Sequence, residues 1–463
     1  MGRDYDMPKT VSKPMTEGNI LKEIIIFSLP LILGNLFQQA YNLVDTSIVG
    51  KTLGSNALAS VGVSSSVQFL VLGFCMGVAI GFAIPVATKF GSGDLHAMRQ
   101  YVYIGGVLTA IIAAVLTVST VVLCPSILHL LDTPTEIYPD AYRYLVTIFA
   151  GIPCSLLYNY LSGILRAIGD SKTPFMFLAF SATLNIFLDL FCIIVLDLGC
   201  FGAAIATIIS QGVSGLLCLI LILRKFEVLH LRKEDRVFDH DMAKHALNMG
   251  VPMGLQYSIT AIGSMVMQTS NNSLGTLYVS AYAAGLKIKQ FVMSPFDAFA
   301  TATATFCSQN YGAEKTDRIK EGIKIGLGIA VGYSVIATII MVFFGRSLSL
   351  LFLDESNTQI LDAAAKYLKY IGLFYSLLGI LNVSRQVIQG LGWSRRAMLS
   401  GAIEMVARII VCAGFTGTFG FTAICCADQV AWIAADLYCV PTLISCVKHI
   451  EQSIAISHAS AIE

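Results

Sequence analysis

Leu29-Pro30, with the run Gln38-Gln39-Ala40-Tyr41-Asn42-Leu43-Val44-Asp45 behind it, is answered about 222 residues later by Val251-Pro252, and the pairing continues along the chain. Leu53-Gly54 returns as Leu274-Gly275, Phe90-Gly91 as Tyr311-Gly312, Tyr144-Leu145 as Tyr367-Leu368, and Ile168-Gly169 as Leu391-Gly392. A repeat of this length in an apolar chain indicates a duplicated helical bundle of the kind transporters use. Composition agrees: 56% of residues are hydrophobic and 13% charged, against roughly 25% charged in a soluble domain, and mean hydropathy is +0.73. Such a chain belongs in a bilayer.

A helix needs about 20 apolar residues to cross the hydrocarbon. Twelve such spans are expected, near 22–49, 57–86, 100–124, 141–163, 174–197, 201–223, 245–272, 279–306, 321–344, 364–388, 397–416 and 420–446. The fold class is therefore an all-α integral membrane protein, twelve transmembrane helices in two pseudo-symmetric six-helix lobes. Residues 1–223 make the N-lobe, 224–244 a basic linker, and 245–463 the C-lobe with its tail. The first span follows a polar tail and contains Pro30, so it reads as a retained helix and not as a signal peptide.

Lys and Arg set the orientation. About 22 of the 30 fall on one side, among them Arg3, Lys9, Lys13, Arg166, Lys172, Arg385, Arg395 and the linker cations from Arg224 to Lys244. The positive-inside rule places both termini in the cytoplasm. The linker serves as a topology determinant or as a contact for anionic lipid. Each half holds an even number of spans, so the repeats run parallel about an axis along the membrane normal.

The twelve cysteines lie in or beside apolar spans with no CxxC pair, and read as reduced, small hydrophobes. The seven histidines lack metal-ligand spacing. There is no HExxH, P-loop or GxSxG motif, so an enzyme is not expected, nor a cofactor. Transport must draw on an ion gradient or on the substrate's own.

Ionisable residues inside spans are the main lead, since each costs about 2.5–3.5 kcal/mol to insert and is rarely idle. Gln38, Tyr41, Asn42 and Asp45 fall at i, i+3, i+4 and i+7 on one helix face, which must meet protein or water. The plainer reading of Asp45 is an outer-end cap beside Gly50-Lys51. Asn185 and Asp189, four apart, aim their oxygens to one place, and Thr207 on the next span can add a hydroxyl. Carboxylate, amide and hydroxyl oxygens suit a hard cation, although a polar pair can also serve helix packing. Glu404 and Arg408, again four apart, read as a structural ion pair. Lys287, Lys289 and Asp297 either line a central cavity or pair internally, and Asp428 and Asp436 near Trp432 read as packing groups.

Pro30 followed by Asp45, then Val49-Gly50, the run Arg166-Ala167-Ile168-Gly169-Asp170-Ser171-Lys172-Thr173-Pro174, Leu184-Asn185 to Asp189, Gly199 to Thr207, and the repeated Pro252 half together resemble the multidrug and toxic compound extrusion (MATE) family. The similarity covers about 20 to 446 and is closest to the prokaryotic branch with an N-lobe cation site. It implies a cation-coupled antiporter, using sodium or protons, that exports amphipathic, cationic drugs or toxic compounds by alternating access of two lobes. It further implies that Asp45, Asn185, Asp189 and Thr207 bind the coupling ion, with sodium as the candidate metal, and that helix 1 bends at Pro30. Other branches place coupling acids on helices 7 and 10. Here the span 245–272 has no Asp or Glu, which argues for N-lobe coupling.

Gln38, Tyr41, Asn42, Tyr158, Asn159 and Ser162 are the candidate substrate contacts, since aromatic faces and amides suit flat, weakly hydrated cations. Tyr158 and Asn159 serve equally as interhelical packing groups. The expected partners are small amphipathic substrates and membrane lipid, with no nucleic acid, for a monomer in a bacterial or archaeal cell membrane. A lipid-linked oligosaccharide flippase, or an exporter of a metabolite, is the alternative.

Overall fold

The computed structural model describes residues 14–131 and 133–460, so Arg3, Lys9 and Lys13, counted above for orientation, lie outside the described residues. The first half contains α1 (Ile20–Leu53), α2 (Ser55–Gly91), α3 (Leu95–Leu130), α4 (Tyr138–Ala150), α5 (Ile152–Ala167), α6 (Lys172–Leu190) and α7 (Gly199–Lys225). The second contains α8 (His240–Asn272), α9 (Thr276–Gly312), α10 (Thr316–Phe343), the short α11 (Gly345–Ser349), α12 (Thr358–Gly372), α13 (Tyr375–Gly390), α14 (Ser394–Phe419) and α15 (Phe421–Ser460). Short polar side chains begin several of them. Asn19 accepts the Lys22 amide at 3.0 Å, Asp94 that of Ala97 at 3.0 Å, and Asp239 that of Met242 at 2.9 Å, filling donors that a helix start leaves open.

Among the described residues eight helices are long and apolar enough to cross a membrane, and the bent pairs α4–α5 (43°) and α12–α13 (53°) bring the crossings to ten. The remaining two expected spans are α8 and α9, 33 and 37 residues long, which are too polar to qualify by composition. Their position explains this. Gln256, Asn271, Lys289, Gln309 and Asn310 on these helices are buried, and a segment enclosed by protein need not be apolar all round. Lipid-facing helices differ: Val115, Val118 and Val122 form an exposed apolar stripe along α3.

The repeat is visible in the backbone. Gly54 and Gly275 (φ 86° and 101°), Gly169 and Gly392 (89° and 97°), and Gly199 and Gly420 (57° and 54°) turn the chain through left-handed conformations at matching points. Side chains rarely tolerate that geometry, so the breaks between helices are written into both copies. The bends at Gly151 and at Leu373-Phe374 also correspond.

Two large buried clusters form the lobes, and they exchange helices. Ile20, Ile24, Phe27 and Leu31 of α1 belong to the core of the second half, whereas beyond them Gly34 lies against Phe175 and Leu178 of α6. Ala243 and Ala246, at the start of α8, join the core of the first half. Each lobe therefore borrows the first turns of the other's leading helix. Pro30 sits where α1 passes from one core to the other, within a helix that runs unbroken from Ile20 to Leu53.

The lobes meet closely toward the end bearing the basic linker. A Cβ on Gly77 would stand 2.6 Å from Met253 O, and one on Gly81 2.5 Å from Gly250 Cα. Nearer that end, Thr88 and Ser308 share a hydrogen bond of 3.0 Å between α2 and α9. Gln309 then ties three segments together: its Nε2 donates to Ala167 O at 2.8 Å, and its Oε1 accepts the Met15 amide at 2.7 Å. Asn310 donates to Met15 O at 3.0 Å and Lys315 to Thr16 O at 2.9 Å. The segment before α1 is thereby latched across the junction, with Met15 buried.

The linker is pinned to the first half. Asp235, fully buried, accepts Arg99 Nε at 2.6 Å and the Arg232 amide at 2.9 Å, and lies 2.7 Å from His96 Nδ1. Burial alone would raise its carboxyl, but these hydrogen bonds prevail and hold it below the usual carboxylate range.

Candidate functional site

Asp45 lies toward the far end of α1, and Asp189 near the end of α6, the two helices that pack together beyond the Pro30 crossover. The two acids are neighbours across the contact of α1 with α6, close enough for each to feel the other's charge. As carboxylates neither can donate. Both oxygens of Asp189, Oδ1 of Asp45, and both amide atoms of Asn185 are buried without a protein partner. A buried unpaired acceptor costs about 1–3 kcal/mol, more when charged, so this cluster calls for a proton or a cation.

The other predicted residues divide. Tyr41 stands beside the acid pair, as does Tyr144 on α4, and Gln68 on α2 approaches Tyr144. Sequence reading passed over Gln68, and noted Tyr144 only as a repeat marker; neither is ionisable near neutral pH inside an otherwise apolar span, so neither announces a site. Thr207 on α7 donates its hydroxyl to Ala203 O at 3.1 Å. Among the described residues no hydrogen bond joins it to Asp189, although its oxygen keeps lone pairs for a cation. Gln38 and Asn42 are exposed on α1. Tyr158 donates to Pro174 O at 3.1 Å and Asn159 to Ser155 O at 2.8 Å, so both spend polar groups on neighbouring backbone. Ser162 Oγ is buried without a partner.

Among the described residues no three His, Cys, Asp or Glu side chains stand together as a metal site. The first-half cluster instead offers two carboxylates, an amide and nearby hydroxyls. That set fits a proton or a monovalent hard cation better than a transition metal.

The second half holds a cluster that sequence reading assembled only in part. Asp428 on α15 is bonded by Lys289 of α9 and by Arg408 Nε of α14 at 2.9 Å. Glu404 accepts Arg408 Nη2 at 2.5 Å and Arg385 Nη2 of α13 at 2.5 Å. The expected Glu404–Arg408 pair is present, but inside a five-member network. Arg385, assigned from sequence to the cytoplasmic side, is buried here, because two buried neighbours, Glu404 and Ser400, repay its desolvation. Lys289 takes the internal-pairing alternative, and Asp428 is an ion-pair centre instead of a packing group. Asp297 accepts Asn382 Nδ2 at 3.0 Å.

The two clusters occupy corresponding places in the repeat. About 221–223 residues on, Gln68 corresponds to Lys289, Tyr144 to Tyr367, Asn185 to Arg408, Asp189 to Cys412 and Thr207 to Asp428. Where one half leaves carboxylates without donors, the other supplies its carboxylate with tethered cations.

This two-lobed helical architecture recurs in known proteins. The MatE family profile matches residues 30–191 and 252–413, starting at Pro30 and again at Pro252. A probable multidrug resistance protein YpnP of Bacillus subtilis (strain 168) is 31% identical over 384 residues, covering 81% of this chain and 84% of its own. An FAD transporter of Shewanella oneidensis is 24% identical over 368 residues, 77% of this chain and 79% of that one. A solved structure described as the outward-facing conformation of a multidrug resistance MATE family transporter of the MOP superfamily superimposes with TM-score 0.88 at 20% identity, covering 96% of this chain and 99% of that one. The chain belongs to the MATE family. It is a multi-pass membrane transporter and not an enzyme.

Proposed function

We propose that the protein is a cation-coupled antiporter that exports amphipathic, cationic compounds, with Asp45, Asn185, Asp189 and Thr207 as the coupling-ion site of the N-lobe. The observation that carries this is the cluster of Asp45, Asn185 and Asp189, whose buried carboxylate oxygens have no hydrogen-bond partner among the described residues. Two carboxylates without internal counter-ions attract a cationic substrate, and sodium or a proton competes for the same charge. Binding of one weakens binding of the other, and that reciprocity is what antiport requires.

The C-lobe network supports coupling on one side only. Lys289 and Arg408 already neutralise Asp428, leaving that carboxylate little attraction for an exchangeable cation. Pro30, lacking a backbone donor, is the weak point about which α1 can bend as the lobes rock. Tyr41, Gln38 and Asn42 stand on the acid-bearing helix as substrate contacts, with Tyr158, Asn159 and Ser162 in a supporting role on α5. The basic end faces the cytoplasm with both termini, in the cell membrane of a bacterium or archaeon, and the monomer is the working unit.

Dye efflux from proteoliposomes under imposed sodium or proton gradients tests the reading. Wild type should export a cationic dye, and Asp189→Asn and Asp45→Asn should each weaken equilibrium binding of the dye and slow its gradient-driven export at least tenfold. Full gradient-driven export by both variants would sink N-lobe coupling. Export of a metabolite is the second reading, favoured by the likeness to the FAD transporter; movement of a flavin nucleotide and of no cationic dye in the same vesicles selects it.

A further inference from the structure

α3, α5 and α7 of the N-lobe enclose an apolar cavity of about 680 Å³, with Leu229, His230, Leu231 and Arg236 of the linker at its end. Small side chains create the space. Gly106, Ala110, Ala113 and Ala114 line it on α3, and a Cβ on Gly106 would meet only Tyr160 Cε1, at 3.7 Å. The matching positions of α10, about 221 residues on, carry Leu327, Val331, Ser334 and Val335. The repeat has therefore kept this helix and emptied one copy of its face.

Depth and charge identify an occupant. From Val102 to Ala114 the lining of α3 rises about 18 Å at 1.5 Å per residue, close to half of a hydrocarbon core about 30 Å thick. The cavity thus runs from the basic end to near the midplane, one leaflet deep. At its polar end His230 Nε2 is buried with no hydrogen-bond partner. Arg236 there is exposed, and among the described residues its guanidinium makes one hydrogen bond, to Leu231 O at 3.4 Å. Arg232 and Lys233 lie beside them on the same stretch.

We propose that this groove binds one anionic phospholipid from the leaflet on the basic side, its acyl chain along α3 and its phosphate against Arg236 and His230. The fit follows from physical chemistry: an apolar slot takes the chain, a cationic rim takes the headgroup, and anionic lipid is attracted to polybasic segments at the membrane surface. The inference is independent of the coupling reading, because none of these residues belongs to the acid cluster.

Native mass spectrometry of the detergent-purified protein, with phosphatidylglycerol or phosphatidylcholine added, tests it alongside thermal melting. Wild type should retain phosphatidylglycerol at least fivefold better than phosphatidylcholine and melt higher in its presence. Arg236→Gln with His230→Gln should abolish that preference. Gly106→Leu with Ala110→Val, copying the second half, should remove the bound lipid altogether. Equal retention of the two lipids by wild type overturns the proposal, as does unchanged phosphatidylglycerol retention in the filled-groove variant. Inorganic phosphate raising the melting temperature as much as the lipid would also overturn it. Arg236 lies exposed at the surface, so Arg236→Gln alone, expected to weaken the preference at least twofold, keeps the test decisive even where the groove variant fails to fold.

Discussion

Asp235 and Asp428 show what a carboxylate needs in order to be buried here, and Asp189 what happens when the supply is withheld. Asp235 draws three donors from Arg99, Arg232 and His96. Its folded pKa lies below the unfolded value of about 3.9. The stability it contributes is therefore present above that unfolded value and is lost as pH falls through the lower folded one. Asp235→Asn should lower the melting temperature at neutral pH, by the equivalent of about 3 kcal/mol for a broken buried pair. The gap between wild type and variant should close as the melt is taken into the acid range, and a pH-independent gap would contradict this. At the other network, Lys289→Met leaves Asp428 with Arg408 alone and should likewise cost about 3 kcal/mol; adding Asp428→Asn should recover part of it, measured as a non-additive melting shift in a double-mutant cycle.

At the scale of the element, glycines set how closely helices from the two lobes approach. Gly81 and Gly77 bring α2 onto the backbone of α8. A branched side chain there meets backbone and not a yielding side-chain tip, so Gly81→Val should drive the lobes apart at the basic end. Spin labels on α2 and α8 near that end should report a longer distance, and export should fall at least tenfold; an unchanged distance would show that the contact yields locally. Much at this scale is legible in sequence. Glycine breaks and apolar runs are local signals, and Asn185 with Asp189, or Glu404 with Arg408, declare themselves at a spacing of four. What escaped were partners distant in the chain: Lys289 and Asp428 are 139 residues apart. Arg385 reads as a loop cation by its charge alone, and its burial follows from Glu404 and Ser400 of the neighbouring α14. The polarity of α8 and α9 has the same origin, since a helix shielded by protein escapes the composition that lipid imposes.

For the whole molecule, the repeat supplies a frame and its differences supply the roles. The first half keeps acids without donors and a groove with a basic rim, whereas the second closes its acid with lysine and arginine and fills the matching face of α10. Leading helices exchanged between cores mean that neither half is a free body, so the halves expressed as separate chains should not each give a stable lobe. Coexpression should recover the dimer of halves and single expression should not; a half that purifies alone and melts cooperatively would contradict this.

The segment from Met15 to Gly18 also bears on how the protein can be handled. Its backbone is held by Gln309, Asn310, Lys315 and Arg318 across the lobe junction, whereas the tail of α15 from Glu451 to Ile456 is largely exposed. A fluorescent fusion or affinity handle placed directly before Met15 would compete with that seam and bias any assay of conformation, and one appended after α15 would report on the transporter without leaning on it.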